Sequence, residues 1–402
     1  MNRTTIDSRT LAVESHSIDV VPESERYGSP LRLFTIWLSI NLSIVCAAVG
    51  TIASGYGLSL GWSIAGLAIG NAVGSVFMAA HSAQGPHLGV PQMIQSRAQF
   101  GVLGAGLPLV AVVITYLLYT AADGLLVEGS LRALLPIGNT TALVIFGLIT
   151  LLIAYVGYEL IHRLGMFVML LSGALFVVAV VVLLRPGGAP VAPAANAGGA
   201  LNASAWNASA LMLTITQSAA WSLSFGPYVA DYSRYLPSSV SASRTFWYTG
   251  LGCFLGATLI MAFGVLLGSR YPGLIADPGG AIAASFGSGR GWVRLLIIIG
   301  VLEGNVMNLY SAYMSTATIF SGLKRMARIG RPLKFAVLSA LMATATLLSV
   351  IAQDDFERYF GDTLNAMIYL LVPWSAINLA DYYWVRRGHY AIADFFRREG
   401  RY

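Results

Sequence analysis

Stretches of roughly 20 apolar residues recur from about residue 31 to residue 383, separated by short polar segments. Each is long enough to cross a hydrocarbon core of ~30 Å as a helix. In that medium every backbone polar group must be satisfied within the segment, and long apolar runs without strand-like alternation do this only as α-helices. Composition agrees: 56% of residues are hydrophobic and 10% charged, with a mean hydropathy of +0.70, whereas about a quarter of residues are charged in a globular chain. The expectation is an all-α polytopic membrane protein, one helix bundle with the lipid bilayer as its surroundings. Cys46 and Cys253 both fall inside apolar stretches, which reads as packing and not as a disulfide framework or metal cluster.

Ten spans are expected, at 31–56, 60–82, 102–127, 140–158, 164–184, 209–230, 247–268, 292–321, 333–352 and 362–383. Sorting the 24 Lys and Arg by alternate loops puts all but Arg132, Arg185, Arg270, Arg290, Arg294 and Arg358 on the side that holds both termini. That bias places both termini in the cytoplasm of a cell or inner membrane protein, and an odd helix count would scramble it. It also accounts for the net charge of +6 without an acidic partner. Residues 1–30 are polar and mixed in charge, and read as a cytoplasmic tail and not a cleaved leader; residues 384–402 form a second tail. The Gly, Ala and Pro rich stretch 185–208 is an extracytoplasmic linker between two five-helix units, 31–184 and 209–383. Because five is odd, the second unit enters the membrane from the opposite side, which is the inverted-repeat plan of many secondary transporters.

Such a plan demands interrupted first helices in both halves. The first span carries Ser39, Asn41 and Ser43 at mid-depth, and the sixth carries Gly226-Pro227. Proline removes a backbone donor and clashes with the preceding turn, so a break near Phe225 is expected. Gly66, Gly70 and Gly74 form a small-residue stripe on the second span that suits close helix packing. Asp231 and Arg234, at i,i+3, read as a surface pair at a span end, and His81 and His87 as solvated loop residues without metal-ligand company.

Ionisable groups within a span are costly and face a bundle interior or a wet path. Asp123 and Glu303 are the carboxylates well inside the spans. On a helical wheel Asn305, Asn308 and Ser311 lie about 200°, 140° and 80° from Glu303, with Tyr310 about 20° away. They read as one continuous polar face. Thr115, Tyr116, Tyr119, Thr120 and Asp123 make another on the third span. The third and eighth spans hold equivalent places in the two halves, so inverted symmetry brings both faces to one centre. Carboxamides match the donor and acceptor edge of a nucleobase, and aromatic rings offer a stacking face; Tyr119, Trp221 and Asn308 supply both. No nucleophile with a base and no phosphate-cradling loop is present, so catalysis is not expected.

Four segments, SIDVVPESERYG at the N-terminus, HSAQGPHLGVPQMIQSRAQFG before the third span, FGPYVADYSRYLP at the sixth and NVMNLYS on the eighth, give the chain its resemblance to the nucleobase:cation symporter-1 family, in its purine-cytosine permease branch. The resemblance implies a leucine-transporter-type 5+5 inverted-repeat fold with helices 1 and 6 discontinuous. It also implies import of a purine, cytosine or a related heterocycle with a cation by alternating access. The implied partner is a small-molecule nucleobase, with no nucleic acid and no cofactor; oligomeric state is left open. By the same resemblance Asn308 matches the base-binding asparagine, with Asn305 in support. Tyr119 stands at a stacking position, Asp123 where the branch often has asparagine, Trp221 at the sixth-span aromatic, and Ser39 and Asn41 at polar positions of the first span. The cation position falls on Glu303 and Gly304 of the eighth span and on the carbonyls of Leu42 and Val45 at the first-span break. Sodium-coupled relatives have hydroxyls where this chain has Glu303 and Gly304. A carboxyl there points to H+ as the coupling ion, with Na+ as the alternative. Family members usually carry twelve spans, so helices 11 and 12 are expected to be absent. Competing readings are another heterocycle such as a hydantoin, allantoin or a vitamin, or a passive channel.

Overall fold

The computed structural model describes residues 18–156, 173–179, 205–270, 278–284, 286–324, 330–353, 356–397 and 400–402, with 160, 167, 170, 171 and 181 besides. Arg163, most of the linker and the expected fifth span apart from 167, 170, 171, 173–179 and 181 lie outside the described residues. Eleven longer helices carry the architecture. They are α1 (Leu31–Ser39), α2 (Ile44–Ser54), α3 (Leu60–Ser82), α4 (Gly106–Leu134), α5 (Asn139–Val156), α6 (Ala208–Leu223), α7 (Gly226–Ser233), α8 (Ala242–Arg270), α9 (Arg290–Lys324), α10 (Arg331–Ala352) and α11 (Phe356–Ala380). No strand occurs among the described residues.

Seven described helices are long and apolar enough to cross a membrane, and α1 with α2 make an eighth as a pair bent by 57°. Their ranges match the expected spans closely at 60–82 and less so for α8 and α9, which begin earlier than their apolar runs. The sixth expected span is divided between α6, of 16 residues, and α7, of 8.

Both divisions have local causes. After α1 the backbone tightens, Asn41 N–H donating to Leu38 O and Leu42 N–H to Ser39 O. Ser43 is then extended, and its hydroxyl accepts from Cys46 N–H at 3.3 Å to cap α2, a role that favours serine. The α6 helix ends at Leu223, and Pro227 sits in the first turn of α7, where its missing N–H costs nothing.

The helices sort into two packed groups. In one, α4, α5, α9 and α10 all contact one another; in the other, α8 packs on α1, α2 and α3, and α3 on α6 and α7. Helix α11 touches both, through α4 and α6. Glycine lets backbones meet inside the second group. A side chain on Gly70 would meet Ile215 O, and one on Gly74 would meet Ala219 O, so the expected stripe on α3 is spent against α6. Gly50 faces the Met261 carbonyl and Gly264 the Ala47 carbonyl, a reciprocal contact of α2 with α8.

Two surface expectations are overturned. Asp231 and Arg234 are buried: Asp231 accepts from Gln92 N–H at 2.8 Å, and Arg234 donates to Asp19 O at 3.0 Å. The chain between α3 and α4 folds back under α7 in short helices, and the segment before α1 covers them, Val21 N–H donating to Gly89 O. For the same reason His81 is not a solvated loop residue. It is buried in the last turn of α3, stacked on Trp374 at 4.7 Å and 2.8 Å from Ser375 Oγ. His87 is exposed, as expected.

Candidate functional site

Both helix breaks and the crossing of α4 over α9 converge on one cavity at the junction of the two groups. The first break and the start of α2 contribute Ile40, Ser43 and Val45; the second contributes Trp221, Ser224 and Phe225. Helix α4 adds Tyr119 and Asp123, and α9 adds Gly300, Val301, Gly304 and Asn308. The space amounts to about 20 Å³, which holds about one water. A flat heterocycle therefore fits only after the surrounding rings part.

Those rings form an aromatic box. Tyr119 meets Trp221 edge to face at 5.9 Å and Phe360 of α11 at 6.4 Å, while Phe225 meets Trp221 at 5.8 Å. Edge-to-face pairs keep ring faces available to a third ring. The Tyr119 hydroxyl is buried beside the Ser224 side chain at the second break. A buried polar group of this kind is costly unless something satisfies it.

Polar positioning is specific. Asn308 Nδ2 donates to Asp123 Oδ2 at 3.2 Å, joining α9 to α4 on the cavity wall. Trp221 Nε1 donates to Asn41 Oδ1 at 2.7 Å, and Asn41 Nδ2 donates to Trp37 O at 2.7 Å. Asn41 thus stands behind the cavity and fixes the indole plane. Tyr116 spends its hydroxyl on Ser224 O at 2.9 Å, satisfying a carbonyl at the second break.

Glu303 also lies one layer behind the cavity. Its Oε1 is 2.7 Å from Ser39 Oγ, which is itself 3.0 Å from Ile36 O, and its Oε2 has no partner among the described residues. The Ser39 hydroxyl is thus shared between the carboxyl of α9 and a carbonyl of its own helix.

The single polar face expected on α9 divides three ways. Glu303 meets the end of α1, Asn305 Nδ2 donates to Thr150 Oγ1 of α5 at 3.0 Å, and Asn308 opens on the cavity. Asn305 is therefore a helix-helix contact and not part of the cavity wall, because the wheel angle of about 200° from Glu303 carries it to the opposite neighbour. Of the other expected positions, Tyr119, Asp123, Trp221, Asn308, Gly304 and Val45 line the cavity, whereas Ser39, Asn41, Leu42 and Glu303 do not. Leu42 lies in the break and Val45 in the first turn of α2. Sequence reasoning missed Phe225 and Ser224, although they flank the Gly-Pro that marked the break, and Gly300, which precedes Gly304 and Asn308 by whole i,i+4 steps on α9. Among the described residues no group of three or more His, Cys, Asp or Glu is placed to hold a metal ion.

A family model described as permease for cytosine/purines, uracil, thiamine and allantoin matches residues 20–402. The chain is 35% identical over 392 residues to a putative purine-cytosine permease, YxlA, of Bacillus subtilis, covering 98% of this chain and 84% of that one. It is 25% identical over 411 residues to the purine-cytosine permease FCY2 of Saccharomyces cerevisiae, covering 94% and 72%. Among solved structures it superimposes on Mhp1, a nucleobase-cation-symport-1 family transporter in a closed conformation with bromovinylhydantoin bound. The TM-score is 0.74 at 17% identity, over 96% of this chain and 85% of that one.

Proposed function

Because the chain belongs to the cytosine/purine permease family of nucleobase:cation symporters, and is accordingly a multi-pass membrane transporter and not an enzyme, we propose that it imports a purine base or cytosine together with a proton. The observation that carries the reading of the cargo is the Asn308–Asp123 pair on the wall of an aromatic box. A carboxamide beside a carboxyl offers donor and acceptor atoms in the plane of a base edge, and Tyr119, Trp221 and Phe225 offer faces to its rings. Asn305 supports Asn308 from behind by anchoring α9 to α5. Ser39 and Asn41 act through Glu303 and Trp221.

The coupling proton is assigned to Glu303. Its carboxyl joins α9, in one packed group, to the end of α1, in the other. Gaining or losing a proton there changes the bond that ties the groups together, while the base bridges them at Asn308 and Trp221. Alternating access then follows as rocking of one group on the other around the central site. The domain plan that goes with it has a cytoplasmic tail at 1–30, repeats at 31–184 and 209–383 joined by an outside linker at 185–208, and a second cytoplasmic tail at 384–402. Ten spans are counted in it, with α1/α2 and α6/α7 as interrupted first helices. Leu42 and Val45 carbonyls with Gly304 belong to the cation position in the sodium-coupled alternative.

Competition against labelled cytosine and hypoxanthine uptake by adenine, guanine, uracil, allantoin and a hydantoin tests the cargo. Strong competition by purines and cytosine is expected. Competition by hydantoin or allantoin alone would move the assignment to those heterocycles. Losing the Asn308 carboxamide leaves a buried base edge unpaired, at about 1–3 kcal/mol, so Asn308→Ala is expected to weaken apparent affinity about ten- to a hundredfold. Unchanged uptake in that variant would remove Asn308 from the site.

A further inference from the structure

A second cavity, of about 250 Å³, opens on the outer face between α3 and α8, far larger than the central one. Ala72, Ser75 and Val76 of α3 face Phe246, Trp247, Leu251 and Phe254 of α8 across it. The helices part here because Val76, Trp247 and Leu251 turn outward, Trp247 being 58% exposed, while Gly250 brings α8 against Ala79 beneath them. In a membrane protein this outward apolar wall meets acyl chains.

Two features make it more than general lipid contact. Arg244, exposed in the first turn of α8, precedes Trp247, Tyr248 and Leu251 by three, four and seven residues, so it stands over the mouth of the groove on the same helix face. Aromatic side chains beside a basic one at a helix end are the marks of a headgroup region. Inside the groove, Ser75 of α3 is buried and supplies the one hydroxyl of an otherwise apolar lining.

We propose that the α3–α8 groove is a binding site for an anionic phospholipid, with one acyl chain between the helices, its phosphate on Arg244 and an ester oxygen within reach of Ser75. The site is independent of the cargo. It lies on the outer side of the helix whose inner side carries the backbone contacts of Gly252 with Phe34 O and Gly256 with Leu38 O in α1. A chain seated there braces α8 against the first helix break.

The test is native mass spectrometry of the purified protein titrated with an equimolar mixture of dioleoylphosphatidylglycerol and dioleoylphosphatidylcholine. The wild type is expected to retain phosphatidylglycerol over phosphatidylcholine by about fivefold, the preference that one basic residue at a membrane surface supplies. Arg244→Gln is expected to abolish the preference, and Ala72→Phe, which fills the groove from an exposed position, to reduce adducts of both lipids. Size-exclusion profiles and melting temperatures matching wild type establish that the variants are folded; Val76→Phe is the second filler if Ala72→Phe is not. Equal retention of the two lipids by wild type overturns the proposal. So does an unchanged preference in Arg244→Gln, or unchanged adducts in a folded groove-filled variant.

Discussion

At the residue scale, Glu303 and Asn308 lie 5 positions apart on α9 and face different elements. Their substitution should therefore separate two properties of transport. Glu303→Gln keeps an oxygen that accepts from Ser39 but cannot release a proton. It is expected to retain exchange of internal for external base while losing accumulation against a gradient, measured as steady-state uptake in vesicles; concentrative uptake at the wild-type level would contradict the role. With a proton as co-substrate, the initial rate of the wild type rises as external pH falls, and the Glu303→Gln profile is flat over the same range. Asp123→Ala removes the acceptor of the Asn308 amide and leaves a buried donor unpaired, at about 1–3 kcal/mol. Loss of base affinity is expected together with a melting temperature lowered by a few degrees, because the same bond joins α4 to α9.

At the element scale, the breaks and the glycine contacts are what place those residues. Gly264→Val drives a side chain into the Ala47 carbonyl, a backbone group that cannot yield as a flexible side chain would. The expected outcome is loss of folded, monodisperse protein in size-exclusion chromatography, whereas Gly61→Val, at a position with open space around it, is expected to leave the profile unchanged. Much of this level was legible in the sequence. The length of the apolar runs marked the helices, Gly226-Pro227 marked the second break, and the Gly66–Gly74 stripe marked a close contact. The identity of neighbours was not legible, since a helical wheel shows which residues share a direction but not what stands there. For that reason the wheel showed Asn305, Ser39 and Asn41 as polar but not that they meet Thr150, Glu303 and Trp221 of other helices. His81, Asp231 and Arg234 were read as solvated because the sequence gives no sign that the segment after α3 folds back beneath the bundle.

At the scale of the whole molecule, the two packed groups meet at the central cavity, and in the proposed mechanism proton and base each connect one group to the other. That arrangement predicts that cargo and proton favour the same closed state, so each strengthens binding of the other, reciprocally and by the same factor. Measuring apparent base affinity at two pH values, in wild type and in Glu303→Gln, reads this linkage directly: affinity rises at the lower pH in the former and is constant in the latter. The most direct test of the account is uptake of labelled cytosine or hypoxanthine into sodium-free proteoliposomes holding purified protein, under an imposed inward proton gradient. The account predicts saturable accumulation above the external concentration that collapses on adding a protonophore and is unchanged by sodium. Uptake that requires sodium and ignores the proton gradient would contradict it.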